Sequence, residues 1–248
     1  MAFPLLRLVL AAMLAWAPAA EAAETTVAVA ANFSEAAKEI AQRFEASSGH
    51  RAILSFGSTG QLFTQITQEA PFDVFLAADE ERPRKAVDQG LAVPDSQFTY
   101  AMGKLALFSK DPMLVQGEET LRSGKFQKIA IANPRTAPYG SAAVEAMKKL
   151  GVYAALEPRL VQGNDIAQTY QFVDTANAEL GFVALAQIIG TSDGSRWIVP
   201  GDLYPPIRQD AVLLQRGAPN PAARAFVAYL RGPEARTILE KYGYGLAD

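Results

Sequence analysis

The sequence predicts an α/β protein built as two lobes, each a mostly parallel sheet flanked by helices. Two observations carry this prediction. Short β-branched or apolar runs alternate with amphipathic helical patterns along most of the chain, the signature of strand–helix–strand units. That alternation is interrupted twice, by "TYAMGK" within the stretch from Thr99 to Ser109 and by "PGDLYPPIRQD" from Pro200 to Asp210, where the chain can cross between lobes.

Taken in order, Thr26 to Ala30 alternates β-branched residues with alanine and passes almost at once into a helical pattern from Ser34 to Ser47. A strand at Ala52 to Phe56 is followed by a helix from Gly60 to Glu69. The apolar run Val74 to Ala77 is followed by a helix from Arg82 to Gln89, whose acidic "ADEER" approach suits the positive end of a helix dipole. After the first crossing come strands at Leu105 to Phe108 and Lys128 to Ile131. The helix from Tyr139 to Leu150 follows, with Pro138 in its first turn, where a missing N–H costs nothing. Strand Arg159 to Gln162 leads to helix Ile166 to Thr175, and strand Gly181 to Ala184 to a short helix at Leu185 to Ile189. Strands at Trp197 to Val199 and Asp210 to Leu214 flank the second crossing. Two core-type amphipathic helices, Pro221 to Leu230 and Pro233 to Tyr242, end the chain, divided by Gly232-Pro233. The expected lobes are 23–103 with 208–248, and 104–207.

The first 22 residues read as a signal peptide: Arg7, an apolar run from Leu8 to Ala20, then the small-x-small triplet Ala20-Glu21-Ala22. The run is shorter than the roughly 20 residues a membrane helix needs. No cysteine is present, which excludes disulfides, thiolate chemistry and a lipid-bearing N-terminal cysteine. About 225 residues would remain after cleavage, half of the chain being apolar, enough for a core that needs no staples. A net charge of −3 without basic runs argues against nucleic acid and anionic membranes as partners.

The strand-to-helix corners share one chemistry. They read Ala30-Ala31-Asn32-Phe33-Ser34, Gly57-Ser58-Thr59-Gly60, Ala137-Pro138-Tyr139-Gly140 and Gly163-Asn164-Asp165-Ile166. A helix start presents backbone N–H groups without intrahelical partners and the positive end of the macrodipole. Small residues let an anion approach that backbone, while Asn, Ser and Thr add neutral donors. N-capping alone accounts for any single corner of this composition. Four together, two from each lobe, favour an anion site that uses no lysine or arginine. Asp165 reads as a cap, because a carboxylate in contact with an anion repels it.

Enzyme templates find no support. His50, the only histidine, sits in a polar "SSGHRA" turn; there is no phosphate-cradling Gly-Lys-Ser/Thr and no Ser-x-x-Lys. The expectation is a binding protein rather than an enzyme, with no cofactor.

The pieces "VAVAANFSEAAKEIAQRFE", "SFGSTGQLFTQI", "APFDVFLAADEE", "NPRTAPYGSAAVEAM", "LGFVAL" and "YLRGPEARTILEKYGY", in this order, resemble the periplasmic molybdate-binding proteins of ABC importers. These belong to the two-lobed type II solute-binding superfamily, in which the ligand sits in the interlobe cleft. The resemblance implies molybdate or tungstate held by Ala31 and Asn32, by Ser58 or Thr59, and by the backbone N–H of Tyr139 and Ile166. Molybdenum would enter only as the oxyanion. It also implies a periplasmic monomer without a lipid anchor, partnered by a permease and its cytosolic ATPase. Two departures stand out: many members carry serine at Asn32, and many carry a ligand-contacting tyrosine where this chain has Ala184. Tyr139 is expected to supply the missing phenol. Asn32→Ala is expected to weaken binding far more than it lowers stability.

An all-donor site suits a fully deprotonated dianion; hydrogen phosphate would bury a hydroxyl lacking an acceptor, at roughly 1 to 3 kcal/mol. Sulfate or phosphonate binding, and a periplasmic hydrolase using a Ser-Lys pair, remain the alternatives to molybdate binding.

Overall fold

The structure, a computed structural model, describes residues 22–246. The signal-peptide reading therefore falls, apart from Ala22, outside the described residues. The first lobe opens with β1 (Glu24–Ala30), α1 (Ser34–Ser48), β2 (Arg51–Gly57), α2 (Thr59–Thr67), β3 (Val74–Leu76), α3 (Glu81–Asp88) and β4 (Phe98–Gly103). The chain then crosses into β5 (Leu105–Ser109), α4 (Glu119–Ser123), β6 (Ile129–Ala132), α5 (Pro138–Lys149), α6 (Tyr153–Leu156) and β7 (Leu160–Gly163). The second lobe closes with α7 (Ile166–Asp174), β8 (Leu180–Ala184), α8 (Leu185–Ile188) and β9 (Ser195–Ile198). The chain returns through β10 (Ile207–Leu213), α9 (Pro221–Leu230) and α10 (Pro233–Lys241).

Two five-stranded sheets result, ordered β2-β1-β3-β10-β4 and β7-β6-β8-β5-β9. They share one plan. In each, the fourth strand is the one that has just arrived from the other lobe, and it runs antiparallel to its neighbours, while the first three pair in parallel. Central strands covered by helices on both faces must be apolar throughout. From Val27 to Ala30 β1 is fully buried, and so is the whole of β6.

α1 shows why local sequence suffices for the helices. Ala36, Ala37, Ile40 and Phe44 fall on one face and pack into the first lobe's core. The helix ends at Gly49, whose φ of 72° is the left-handed conformation that glycine adopts without strain, and its N–H reaches Glu45 O.

The expected two-sheet α/β class is the one observed. The sequence reading passed over β4, taking its polar residues for a crossing segment. β4 is an edge strand held by β10 on one side and by a single bridge from Met102 to Gly245 on the other, so it needs little apolar surface of its own. β10 likewise begins at Ile207, inside the stretch read as a break. The one-turn helices α4 and α6 were also unforeseen; segments this short are fixed by packing rather than by periodicity.

Candidate functional site

The four corners meet. A 3₁₀ turn at Ala31–Phe33 and the start of α2 come from the first lobe, and the starts of α5 and α7 from the second. Ala31, Asn32, Ser58, Thr59, Tyr139 and Ile166 all line one small cavity between the lobes, joined by Ala30, Ala78, Ala137, Pro138 and Asp165. The cavity measures about 10 Å³, about the space of one water-sized centre. No lysine or arginine stands in its wall. The backbone N–H groups of Asn32, Thr59, Tyr139 and Ile166 belong to the first turns of these elements, where helix geometry leaves donors without an intrahelical partner. They come from both lobes and line one cavity, at the positive ends of their helix dipoles.

Each corner has a local cause. At α5, Pro138 opens the helix and Gly140 lets it approach β6: a Cβ on Gly140 would fall 2.1 Å from Ala132 O. At α7, Asp165 is the N-cap, its carboxylate accepting from Gln168 N at 2.9 Å, so its cap role is as expected. Gln187 braces the same corner, its Oε1 accepting from Ala184 N at 2.9 Å while its Nε2 donates to Ile166 O at 3.0 Å. At α2, Ser58 is the N-cap; its Oγ accepts from Gln61 N at 3.4 Å and donates to Gln61 Oε1 at 2.9 Å. Thr59 Oγ1 accepts from Ala78 N at 3.0 Å, and its own proton has no protein acceptor among the described residues.

Asn32 departs from expectation. It caps nothing: neither Ala30 nor Phe33, the residues at the cap positions, makes a side-chain cap, and the Asn32 amide turns inward. Its Nδ2 donates to Gln209 Oε1 at 2.8 Å and to Tyr244 OH at 3.3 Å, which spends both amide protons inside the protein. Tyr244 OH in turn donates to Asn32 O at 2.8 Å. What Asn32 offers the cavity is therefore its backbone.

The Tyr139 phenol is also committed. It is buried, and its oxygen accepts from Gln209 Nε2 at 3.2 Å. Burial pushes the hydroxyl well above its ordinary value of 10.0, with the Gln209 bond opposing. Tyr100 and Tyr244, buried in the same cluster, are raised for the same reason. All three phenols stay neutral across the physiological range.

The lobes are closed on one another. Gly60 N donates to Thr136 O at 2.8 Å and Arg82 Nη2 to Arg135 O at 3.0 Å, each bond crossing the cleft. Two larger cavities share walls with the small one. One, of about 560 Å³, is lined by residues such as Asp79, Arg82, Arg135 and Arg208; the other, of about 330 Å³, by residues such as Ser34, Tyr170 and Gln187. In the first, Arg82 pairs with Asp79 and Arg208 with Glu80, so much of its charge is already satisfied. The small cavity, where the helix starts converge, is the candidate site.

Comparison with known proteins decides the family. The pattern of the bacterial extracellular solute-binding proteins matches residues 25–245. The chain belongs to this family. It is 54% identical to the molybdate-binding protein ModA of Rhodobacter capsulatus, over 95% of this chain and 93% of that one. It is 53% identical to ModA of Azotobacter vinelandii, over 99% and 100%. The solved structure of the Azotobacter vinelandii periplasmic molybdate-binding protein matches with a TM-score of 0.88 at 39% identity, covering 90% of this chain and 100% of that chain. These relatives are solute-binding proteins, not enzymes.

In this family member the six sequence-derived residues are brought together. The residues that hold them, Gln209, Gln187, Tyr100 and Tyr244, were not foreseen. The one available signal was a polar residue at a core position of an otherwise apolar strand, Gln209 in "IRQDAVL". Among the described residues no cluster of histidine, cysteine or carboxylates could hold a metal ion, and no helix is long and apolar enough to cross a membrane.

Proposed function

We propose that this protein binds molybdate and tungstate in the interlobe cavity and delivers the anion, in the periplasm, to an ABC importer. The observation that carries the reading is the convergence of four helix starts, two from each lobe, on a cavity without lysine or arginine. Fixed dipoles and N–H donors stabilise a dianion there without a counter-charge that would have to be desolvated. The relatives at 53 and 54% identity, named as molybdate-binding, support the choice of anion.

In this reading Asn32, Thr59, Tyr139 and Ile166 donate through their backbones. The Ser58 and Thr59 hydroxyls rotate their protons toward the anion. The anion gains its full set of donors only when both lobes contribute, so it favours the closed form. The crossings at 103–104 and 207–208 act as the hinge. The closed monomer then docks on a permease whose cytosolic ATPase drives uptake, after secretion through a cleaved signal and without a lipid anchor.

A thermal-shift screen tests the reading. Millimolar molybdate or tungstate raises the melting temperature by several degrees, corresponding to about 4 kcal/mol when ligand stands 1,000-fold above Kd. Sugars and amino acids leave it unchanged. A shift with an amino acid and none with molybdate would overturn the proposal.

A further inference from the structure

We infer that Gln209 is a positioning residue that couples closure of the lobes to the arrangement of the anion corner. The inference rests on the reading above that the cavity holds an oxyanion.

Gln209 is fully buried on β10, the strand that brings the chain back into the first lobe. A buried amide is tolerated only when its polar atoms are satisfied, and here they are satisfied by three different places in the fold. Oε1 accepts from Asn32 Nδ2 at 2.8 Å and from Tyr100 OH at 3.1 Å, both in the first lobe. Nε2 donates to Tyr139 OH at 3.2 Å, on the helix of the second lobe whose first turn faces the cavity. One side chain thus touches the corner that shapes the anion site and the helix that arrives when the cleft shuts.

Two features of the backbone serve this placement. The β4–β10 register shifts between Gln209 and Asp210, an irregularity of the kind that re-aims a side chain out of simple alternation. At the first crossing, Gly103 leaves the room the contact requires. A Cβ there would lie 2.3 Å from Tyr139 OH and 2.7 Å from Gln209 Nε2.

Opening the cleft withdraws Tyr139 and leaves the Gln209 Nε2 donor without its protein partner; closing it restores the bond. Because Gln209 also holds the Asn32 amide, the closed contact and the geometry of the anion corner are one hydrogen-bonded unit. Loss of the Gln209–Tyr139 bond therefore acts on retention of the anion rather than on its arrival.

The test is stopped-flow binding of molybdate to the parent, Gln209→Met, Tyr139→Phe and the double variant, with small-angle scattering of each protein free of ligand. The expected result is dissociation about tenfold faster in Tyr139→Phe, the size of the one buried hydrogen bond it removes, and at least as fast in Gln209→Met, which also loses the bonds to Asn32 and Tyr100, with association within about twofold of the parent. The double variant dissociates no faster than the more affected single one, and the ligand-free variants are more open than the parent. Unchanged dissociation in Tyr139→Phe, or effects that simply multiply in the double variant, would overturn the coupling. A parent that does not bind molybdate would overturn the ligand assignment instead, and scattering would then still decide whether the variants open.

Discussion

Asn32, which lines the interlobe cavity, and Gln209, 177 positions further along the chain, are joined by a 2.8 Å hydrogen bond between their side-chain amides. The bond makes the anion corner part of the first lobe's buried polar interior rather than a free edge. It changes what a substitution there will do.

Asn32→Ala removes the donor to Gln209 Oε1 and to Tyr244 OH at once. Chemical denaturation of the ligand-free variant is expected to show a loss of about 1–3 kcal/mol, alongside weaker molybdate binding. The sequence alone led to the expectation that binding would weaken far more than stability falls. Unaltered stability would show that the amide is dispensable to the fold.

Asp165→Asn tests whether the one charged residue in the cavity wall is a cap or a ligand. Asparagine caps helices as well as aspartate does, and the substitution removes a negative charge beside an anion. Calorimetry should therefore find molybdate bound at least as tightly as by the parent, with stability changed by less than about 0.5 kcal/mol. Loss of binding would mean that the carboxylate takes part directly.

The three buried phenols set the alkaline limit. Tyr100, Tyr139 and Tyr244 all have folded-state values raised above that of the unfolded chain, so above about pH 10 the native state holds protons the unfolded state has lost. Their stabilising contribution is complete below pH 10 and drains away as pH rises toward the folded-state values. Denaturation midpoints measured from pH 8 to 11.5 should fall steeply at the upper end. Tyr139→Phe should flatten that fall; an identical slope in the variant would contradict the assignment.

What the sequence made legible was local. Helix starts are written in a few adjacent residues, Pro138-Tyr139-Gly140 or Asp165-Ile166, so the corners could be found without knowing where they point. Their convergence follows from two sheets of the same strand order facing each other, which the alternation of strand and helix already implied. Gln209 could not be found this way, because its role exists only once Asn32, Tyr100 and Tyr139 are folded around it. Ser58 shows the converse: its hydroxyl does serve as the cap that its position after a strand suggested, bonded to Gln61. The phenol expected to replace the tyrosine absent at Ala184 is present in the site, but its oxygen is held by Gln209, so its first role lies in joining the lobes.

The most direct measurement of the central claim is a calorimetric titration of the purified protein with molybdate, tungstate, sulfate and phosphate under one buffer. A site made of neutral donors from both lobes predicts one anion per chain and phosphate weaker than molybdate by about tenfold or more, and the proposed function adds tight binding of molybdate and tungstate with sulfate much weaker. Phosphate or sulfate bound more tightly than molybdate would contradict it.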